Sequence, residues 1–376
     1  DYTASGRFLS FIEDFLRENV MPYYANTHTE SSSTGLQTGH FREQAREIIA
    51  AANGCTKDDV VIFCGSGATS AVNKLISILN LRLPADLDRQ YDLLGQIPED
   101  KRPVVFIGPY EHHSNELPWR ESIADVVVID EDEDGKPDQD LLIQELKRYQ
   151  DRPLLIGSFS AASNVTGIGA GTQQISTILH EHGALSFWDF AAAAPYVDVE
   201  MNPESDNPNN YKDAIFVSPH KFIGGPGTPG LLIVKRALLT NSVPSEPGGG
   251  TVAYVGPFEH RYLDDPIERE EGGTPDIIGS IRAGLVYQLK EQVGSEVIRD
   301  IEDTHIKRAI EHWSANPNIR ILGNPDAWRL SIVSFLVRYK EKYLHHNFVA
   351  TLLNDLFGLQ VRGGCSCAGP YGLSLI

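Results

Sequence analysis

The run Ala214-Ile215-Phe216-Val217 is apolar and reads as a buried strand, and Ser218-Pro219-His220-Lys221 follows it at once. A glycine-rich turn, Phe222-Ile223-Gly224-Gly225-Pro226-Gly227, leads into a second apolar run, Gly230-Leu231-Leu232-Ile233-Val234. A hydroxyl, an imidazole and a primary amine are thus gathered at the mouth of a sheet. An amine held out of water has a lowered pKa and attacks carbonyl carbon to form a Schiff base. Alone, a lysine at a strand end more often snorkels its ammonium to solvent, so other residues must decide.

A second constellation is Cys64-Gly65-Ser66-Gly67-Ala68-Thr69, between a strand-like Val60-Val61-Ile62-Phe63 and a helical pattern. Val72, Leu75, Ile76 and Leu79 fall at i, i+3, i+4 and i+7 and mark one buried helix face. Free N–H groups at such a helix start, together with its dipole, hold anions well, and Thr69 adds a hydroxyl. No Gly-Lys-Ser/Thr follows, so this is no Walker P-loop. By itself a glycine turn before a helix is more often only a tight connection.

The elements that must position these groups are strand-like runs alternating with helical segments. The runs cover 60–63, 104–107, 126–129, 154–159, 185–188, 214–217 and 231–234. Such alternation predicts an α/β fold built of βαβ units around a mostly parallel seven-stranded sheet. Ligands of such sheets bind at the carboxyl ends of the strands. The polar groups at those ends are Gly67-Ala68-Thr69, Glu111-His112-His113-Ser114-Asn115, Ser163-Asn164, Asp189, and Ser218, His220 and Lys221. Together they would supply a phosphate cradle, imidazoles, an amide, a carboxylate and a lysine to one rim.

The Pro-Ser-Glu-Pro-Gly-Gly-Gly stretch at 244–250 has linker composition. It predicts a large α/β domain over 20–245 and a small α+β domain over 246–376, joined by residues 1–19. Helical patterns cover 8–20, 39–52, 277–292, 296–315 and 343–357, and strands of the small domain are expected at 330–337 and 359–361. Residues 24–33 are polar and loop-like, and 261–271 read as a charged loop. The small domain is expected to be cut short at its C-terminus, since the sequence stops soon after a cysteine-bearing loop.

The 376 residues are 41% hydrophobic and 22% charged, with net charge −19. So acidic a surface argues against nucleic acid or an anionic membrane as partner, and no apolar run approaches the length of a transmembrane helix. Four cysteines in so long a chain do not make a disulfide framework, which points to a reducing, cytoplasmic compartment.

In this order the motifs resemble the class V branch of fold-type I pyridoxal-phosphate enzymes, the cysteine desulfurase and selenocysteine lyase group in particular. Ser218-x-His220-Lys221 is similar to that family's Ser-Gly-His-Lys, with Pro219 in place of glycine. The resemblance implies the fold-type I architecture with pyridoxal 5'-phosphate as cofactor. It implies that Lys221 forms the Schiff base and that Asp189 faces the pyridine nitrogen. It implies that His112 stacks on the ring and does acid–base work, with His113 as fallback, and that Asn164 lies near the ring oxygen. Gly67, Ala68, Thr69, Ser218 and His220 would hold the phosphate. Thr274, in Glu271-Gly272-Gly273-Thr274-Pro275, would reach the phosphate of a partner subunit in a homodimer. One departure stands out: Ala192 occupies the place of a Gln or His that bonds the ring oxygen, a hydrogen bond worth about 1 kcal/mol.

Arg362-Gly363-Gly364-Cys365-Ser366-Cys367-Ala368 resembles the desulfurase loop Arg-x-Gly-x-x-Cys-Ala and aligns Cys367 with the persulfide-forming cysteine. Arg362 would pair with its thiolate and is the nearby candidate, with Asn164, for binding the substrate carboxylate. The implied activity is conversion of L-cysteine to L-alanine with a persulfide left on the protein, for a sulfur-acceptor protein to collect. Another class V enzyme (aminotransferase, epimerase or lyase) is the alternative, and a non-catalytic sulfur-transfer or assembly scaffold of the same fold is a further one. Cys-x-Cys is also half of a zinc motif, but no second Cys/His pair has ligand spacing, so no metal is assigned.

Overall fold

The computed structural model describes residues 2–27 and 31–376. Its centre is one sheet of seven strands: β1 (Asp59–Cys64), β2 (Val104–Ile107), β3 (Asp125–Val128), β4 (Leu155–Ser160), β5 (Leu185–Asp189), β6 (Ala214–Val217) and β7 (Gly230–Lys235), in the order β1-β7-β6-β5-β4-β2-β3. The strands β3, β2, β4, β5 and β6 pair parallel, and β7 runs antiparallel to both β6 and β1. Six strands therefore end at the same edge.

The strands are continuous apolar runs because both sheet faces are covered. Every residue of β1, β2, β4 and β6 is buried, whereas the short edge strand β3 is only partly so. The period of two sorts the side chains. Val61, Phe63, Val104, Phe106, Ile215 and Ile233 join one apolar cluster with Leu16, Ile49 and Ile281 from flanking helices. Val60, Ile62, Val105, Ile107, Phe216 and Leu232 join another, with Val72, Leu75 and Ile76 of helix Gly67–Ile78. Among the described residues no helix is long and apolar enough to cross a membrane.

A buried charge cluster ties the segment before Thr274 to β1. Glu271 bonds Arg42, pairs with Arg46 at 2.9 and 3.0 Å, and accepts the Phe63 N–H at 2.7 Å. Burial alone would push the Glu271 carboxyl up, but the Arg46 and Arg42 charges outweigh it and hold the group below its ordinary value. Glu271→Ala should cost about 3–5 kcal/mol, because two guanidinium groups stay behind without their counter-ion. Urea unfolding of both proteins at neutral pH measures this. A carboxyl with a depressed folded value stabilises above its unfolded pKa and stops doing so as pH falls through the folded one. The gap between wild type and variant should therefore narrow on acidification.

Beyond the central sheet, Val252–Val255 pairs with His260–Tyr262, and Ile319–Ile321, Phe335–Tyr339 and Lys342–Tyr343 form a small antiparallel sheet. Helices Ile277–Val293, Ser295–Ser314 and His346–Phe357 accompany them. Several boundaries differ from expectation. The strand expected at 330–337 begins only at Phe335, because Leu330 is taken by Gly167 across the large sheet's loop. Residues 359–361 form no strand, since no ladder partner lies beside them. The stretch 261–271 is not all loop: it ends β-strand His260–Tyr262 and holds helix Pro266–Glu270, capped by the Asp265 carboxylate. The first long helix starts at Ser33, where Ser32 accepts the Gly35 N–H at 3.1 Å. The helix expected at 8–20 is α-helical over Ser10–Phe15 and widens to a π-helix over Leu16–Val20. Of the polar stretch 24–33, residues 28–30 lie outside the described residues.

Candidate active site

Lys221 ends a single turn, Pro219–Lys221, that follows β6 directly. The turn closes tightly: a methyl at Gly225 would come within 1.9 Å of the Pro219 carbonyl oxygen, so glycine is required there. Burial pushes the Lys221 amine below its ordinary pKa; Asp189 and Cys367 oppose this and Arg362 adds to it. No hydrogen bond or ion pair holds its Nζ among the described residues. Asp189 closes β5 on the next strand. Its Oδ1 accepts the Ala191 N–H at 2.7 Å, and burial raises its carboxyl against the pull of that N–H and of Lys221. These two groups are thus brought to one rim by parallel pairing of β5 and β6.

The turn after β1 packs against the same residues. Gly67 has φ +59°, and a methyl there would lie 2.8 Å from Ser218 Oγ and 2.9 Å from His220 Cε1. The Ala68 N–H donates to Ser218 Oγ at 2.9 Å. Thr69 Oγ1 meets Ser114 Oγ at 2.6 Å, and Ser114 Oγ meets His112 Nδ1 at 3.0 Å. The Ser114 N–H donates to the same Nδ1 at 3.1 Å, so the ring proton of neutral His112 is on Nε2. Burial lowers His112 to about 4, with Lys221, His113 and Arg362 reinforcing it. Burial and Lys221 also lower His220. Both imidazoles are therefore uncharged near neutrality, and an anion here would be met by N–H groups, hydroxyls and the end of helix Gly67–Ile78.

Glu111 lies beneath this layer, fully enclosed. Ser160 N and Oγ, Gly108 N and Asn115 Nδ2 all donate to it, at 2.8, 2.7, 3.2 and 2.7 Å. Burial pushes its carboxyl up to about 7 against those donors. The carboxylate binds the ends of β2 and β4 together directly before His112. Motif spacing did not reveal this anchor or the Ser114 link. The only signal was their position in the polar run after β2.

The cysteine-bearing loop docks on the rim. Asn164 Nδ2 donates to the Ser366 carbonyl at 2.7 Å, the His113 N–H to the Cys367 carbonyl at 2.7 Å, and the Gly369 N–H to His113 Nε2 at 3.2 Å. Ala368 is buried with Tyr110, Val165 and Tyr371. Arg362 Nη2 donates to Cys367 Sγ at 3.2 Å. His113 thus anchors the loop, while His112 faces the lysine's charge. Asn164 Oδ1 is buried and has no donor. Ala192 is buried and puts no polar group at its position. Thr274 accepts from Asn26 Nδ2 at 3.3 Å, and no hydrogen bond joins it to Thr69, Ser218 or His220.

The donor set suits pyridoxal 5'-phosphate. A free amine, a buried carboxylate, a cradle of N–H and hydroxyl donors at a helix start and the unpaired Asn164 Oδ1 match an aldehyde, a pyridinium N–H, a phosphate and a ring hydroxyl in turn.

A family model described as aminotransferase class-V matches residues 1–375. A protein of Halalkalibacterium halodurans named "Probable cysteine desulfurase" is 28% identical over 363 residues, covering 96% of this chain and 80% of that one. One of the same name from Staphylococcus aureus is 27% identical over 374 residues, 98% of this chain and 83% of its own. The apo structure of a cysteine desulfurase from Thermococcus onnurineus superposes with a TM-score of 0.80 at 23% identity, covering 100% of this chain and 86% of that one, a likeness of fold.

Proposed function

Because the chain belongs to the class-V aminotransferase family, we propose that it is a pyridoxal-phosphate enzyme that converts L-cysteine to L-alanine and keeps the sulfur as a persulfide on Cys367. The observation that carries this reading is the Cys367 loop, hydrogen-bonded to His113 and Asn164 on the rim that holds Lys221.

When bound, the pyridoxal ring supplies an electron sink for the pair left at Cα once its proton is removed. Asp189 would hold a proton on the ring nitrogen. The Lys221 amine, kept low in pKa by burial, takes the Cα proton. Ala68, Thr69, Ser218 and His220, around Gly67, would hold the phosphate. His112 would have an Nε2–H to give. Arg362 and Asn164 meet the substrate carboxylate, and Arg362 also supports the Cys367 thiolate. That thiolate attacks the substrate sulfur: the S–S bond forms, the Cβ–S bond breaks, one proton goes to Cβ, and Lys221 returns a proton to Cα to complete alanine. A thiol of an acceptor protein then collects the outer sulfur.

We further infer a homodimer, in which Thr274, bonded to Asn26 and not to its own chain's cradle, would serve a partner's. The four unpaired thiols fit a reducing, cytoplasmic setting. Ala192 favours a second reading, another class V reaction on an amino acid, because the missing donor changes how the ring oxygen is held.

The test is incubation of the pyridoxal-phosphate-loaded protein with L-cysteine, reading alanine and the mass of the Cys367 peptide. Alanine with one extra sulfur on that peptide is expected, and Cys367→Ser should lose both by about a hundredfold or more. If the wild type yields neither, the desulfurase reading is wrong and the second reading takes its place.

A further inference from the structure

Cys365 lies two residues before Cys367 on the same turn. The Ala368 N–H donates to the Cys365 carbonyl at 3.0 Å, closing a four-residue turn. Both central residues have positive φ, Ser366 at 50° and Cys367 at 59°, as a type I′ turn requires. Neither is glycine, so the conformation is held by its surroundings. Those surroundings are the bonds from Asn164, His113 and Gly369 and the buried Ala368. The two thiols differ in exposure. Cys367 is half-buried, its sulfur beneath Arg362 and within the field of Lys221; Cys365 is exposed. A sulfur carried on Cys367 therefore lies against Arg362 on the rim, less open to a protein-sized acceptor than one on Cys365 while the tethers at Ser366, Cys367 and Gly369 hold. Residues two apart in such a turn are within about 7 Å Cα to Cα, the range in which two cysteine sulfurs can meet.

The geometry points to Cys365 as a relay thiol that receives the sulfane sulfur from Cys367 and presents it at the surface. This rests on the desulfurase reading above. The Cys365 thiolate attacks the outer sulfur of the Cys367 persulfide. A new S–S bond forms at Cys365, the old one breaks, Cys367 leaves as thiolate, and one proton passes between the two. No oxidant or reductant is consumed, because the sulfane sulfur keeps its oxidation state. The external acceptor then meets an exposed persulfide while the loop stays docked.

The experiment uses the loaded holoenzyme, exposed to L-cysteine without reductant and alkylated at intervals, with fragmentation mass spectrometry to place the extra sulfur on Cys365 or Cys367. Sulfur transfer is followed in parallel to dithiothreitol, a small thiol, and to reduced thioredoxin, a folded one. In the wild type the extra sulfur should be seen first on Cys367 and then on Cys365. Cys365→Ser should still form alanine, carry all its persulfide on Cys367, and pass sulfur to thioredoxin about tenfold more slowly while the dithiothreitol rate falls far less. Sulfur found only on Cys367 in the wild type would overturn the relay. So would a Cys365–Cys367 disulfide formed with release of sulfide, or an unchanged thioredoxin rate in Cys365→Ser. A persulfide on Cys365 in Cys367→Ser would make Cys365 the primary nucleophile and overturn it as well. Absence of alanine and of any persulfide in the wild type is a different result: it removes the desulfurase reading, and the relay with it.

Discussion

Lys221→Ala should abolish the visible absorbance expected of the wild type with pyridoxal phosphate, and should lower alanine formation from L-cysteine by about a thousandfold or more. On the proposed reading, Nζ would bond covalently to the aldehyde and then move the Cα proton. Loss of fold is not the expected cause. Burial lowers the Lys221 amine from its ordinary value, so between its folded pKa and the unfolded one the unfolded chain binds the extra proton. The native state is thereby penalised at neutral pH and relieved as pH rises through that window. Alanine removes the penalty, so the thermal midpoint of the apoprotein at pH 7 should hold or rise. A variant that keeps its colour and its turnover would remove Lys221 from the chemistry.

Asp189→Asn separates catalysis from stability in a similar way. Asparagine can keep the bond from the Ala191 N–H to Oδ1 but brings no negative charge to a ring nitrogen. Alanine formation should fall by about 10²–10³-fold, the scale of losing one preorganised electrostatic partner. The stability effect has the opposite sign. Burial raises the Asp189 carboxyl, so the native state binds more protons than the unfolded one between the ordinary and the folded pKa, and stability falls as pH rises through that range. At pH 7, above the ordinary carboxyl value, burial of this titrating group costs the native state stability that asparagine does not lose. Thermal unfolding of the apoproteins should show the variant no less stable than wild type. A clear loss of stability would mean that Asp189 holds the sheet edge together rather than serving a cofactor.

The strands that position these two residues were legible because their signal is local. Residues 104–107 and 214–217 are strands with the expected bounds, and the other five central strands differ by a residue or two. A run buried on both faces reads as apolar wherever it lies in the sheet. The antiparallel course of β7 between β1 and β6 was not legible, since strand order is a matter of pairing. The small sheet was read less well, its residues being half-exposed and its partners distant in sequence.

The sequence by itself marked the candidate set: Lys221, Asp189 and the Gly67-Ala68-Thr69 turn by residue type and place at the end of an apolar run, and the loop cysteines by their resemblance to a family motif. Tertiary structure decided how that set is connected. It alone joins Thr69 through Ser114 to His112, encloses Glu111 under the rim, divides the two adjacent histidines between site and loop, and sends Thr274 to Asn26. It also leaves Cys365 exposed and Cys367 half-buried on a loop whose Asn164 tether spans 202 residues. Period and composition report whether a residue faces water. Which donor meets which acceptor depends on chain segments that only packing brings within 3 Å, and no local pattern records that.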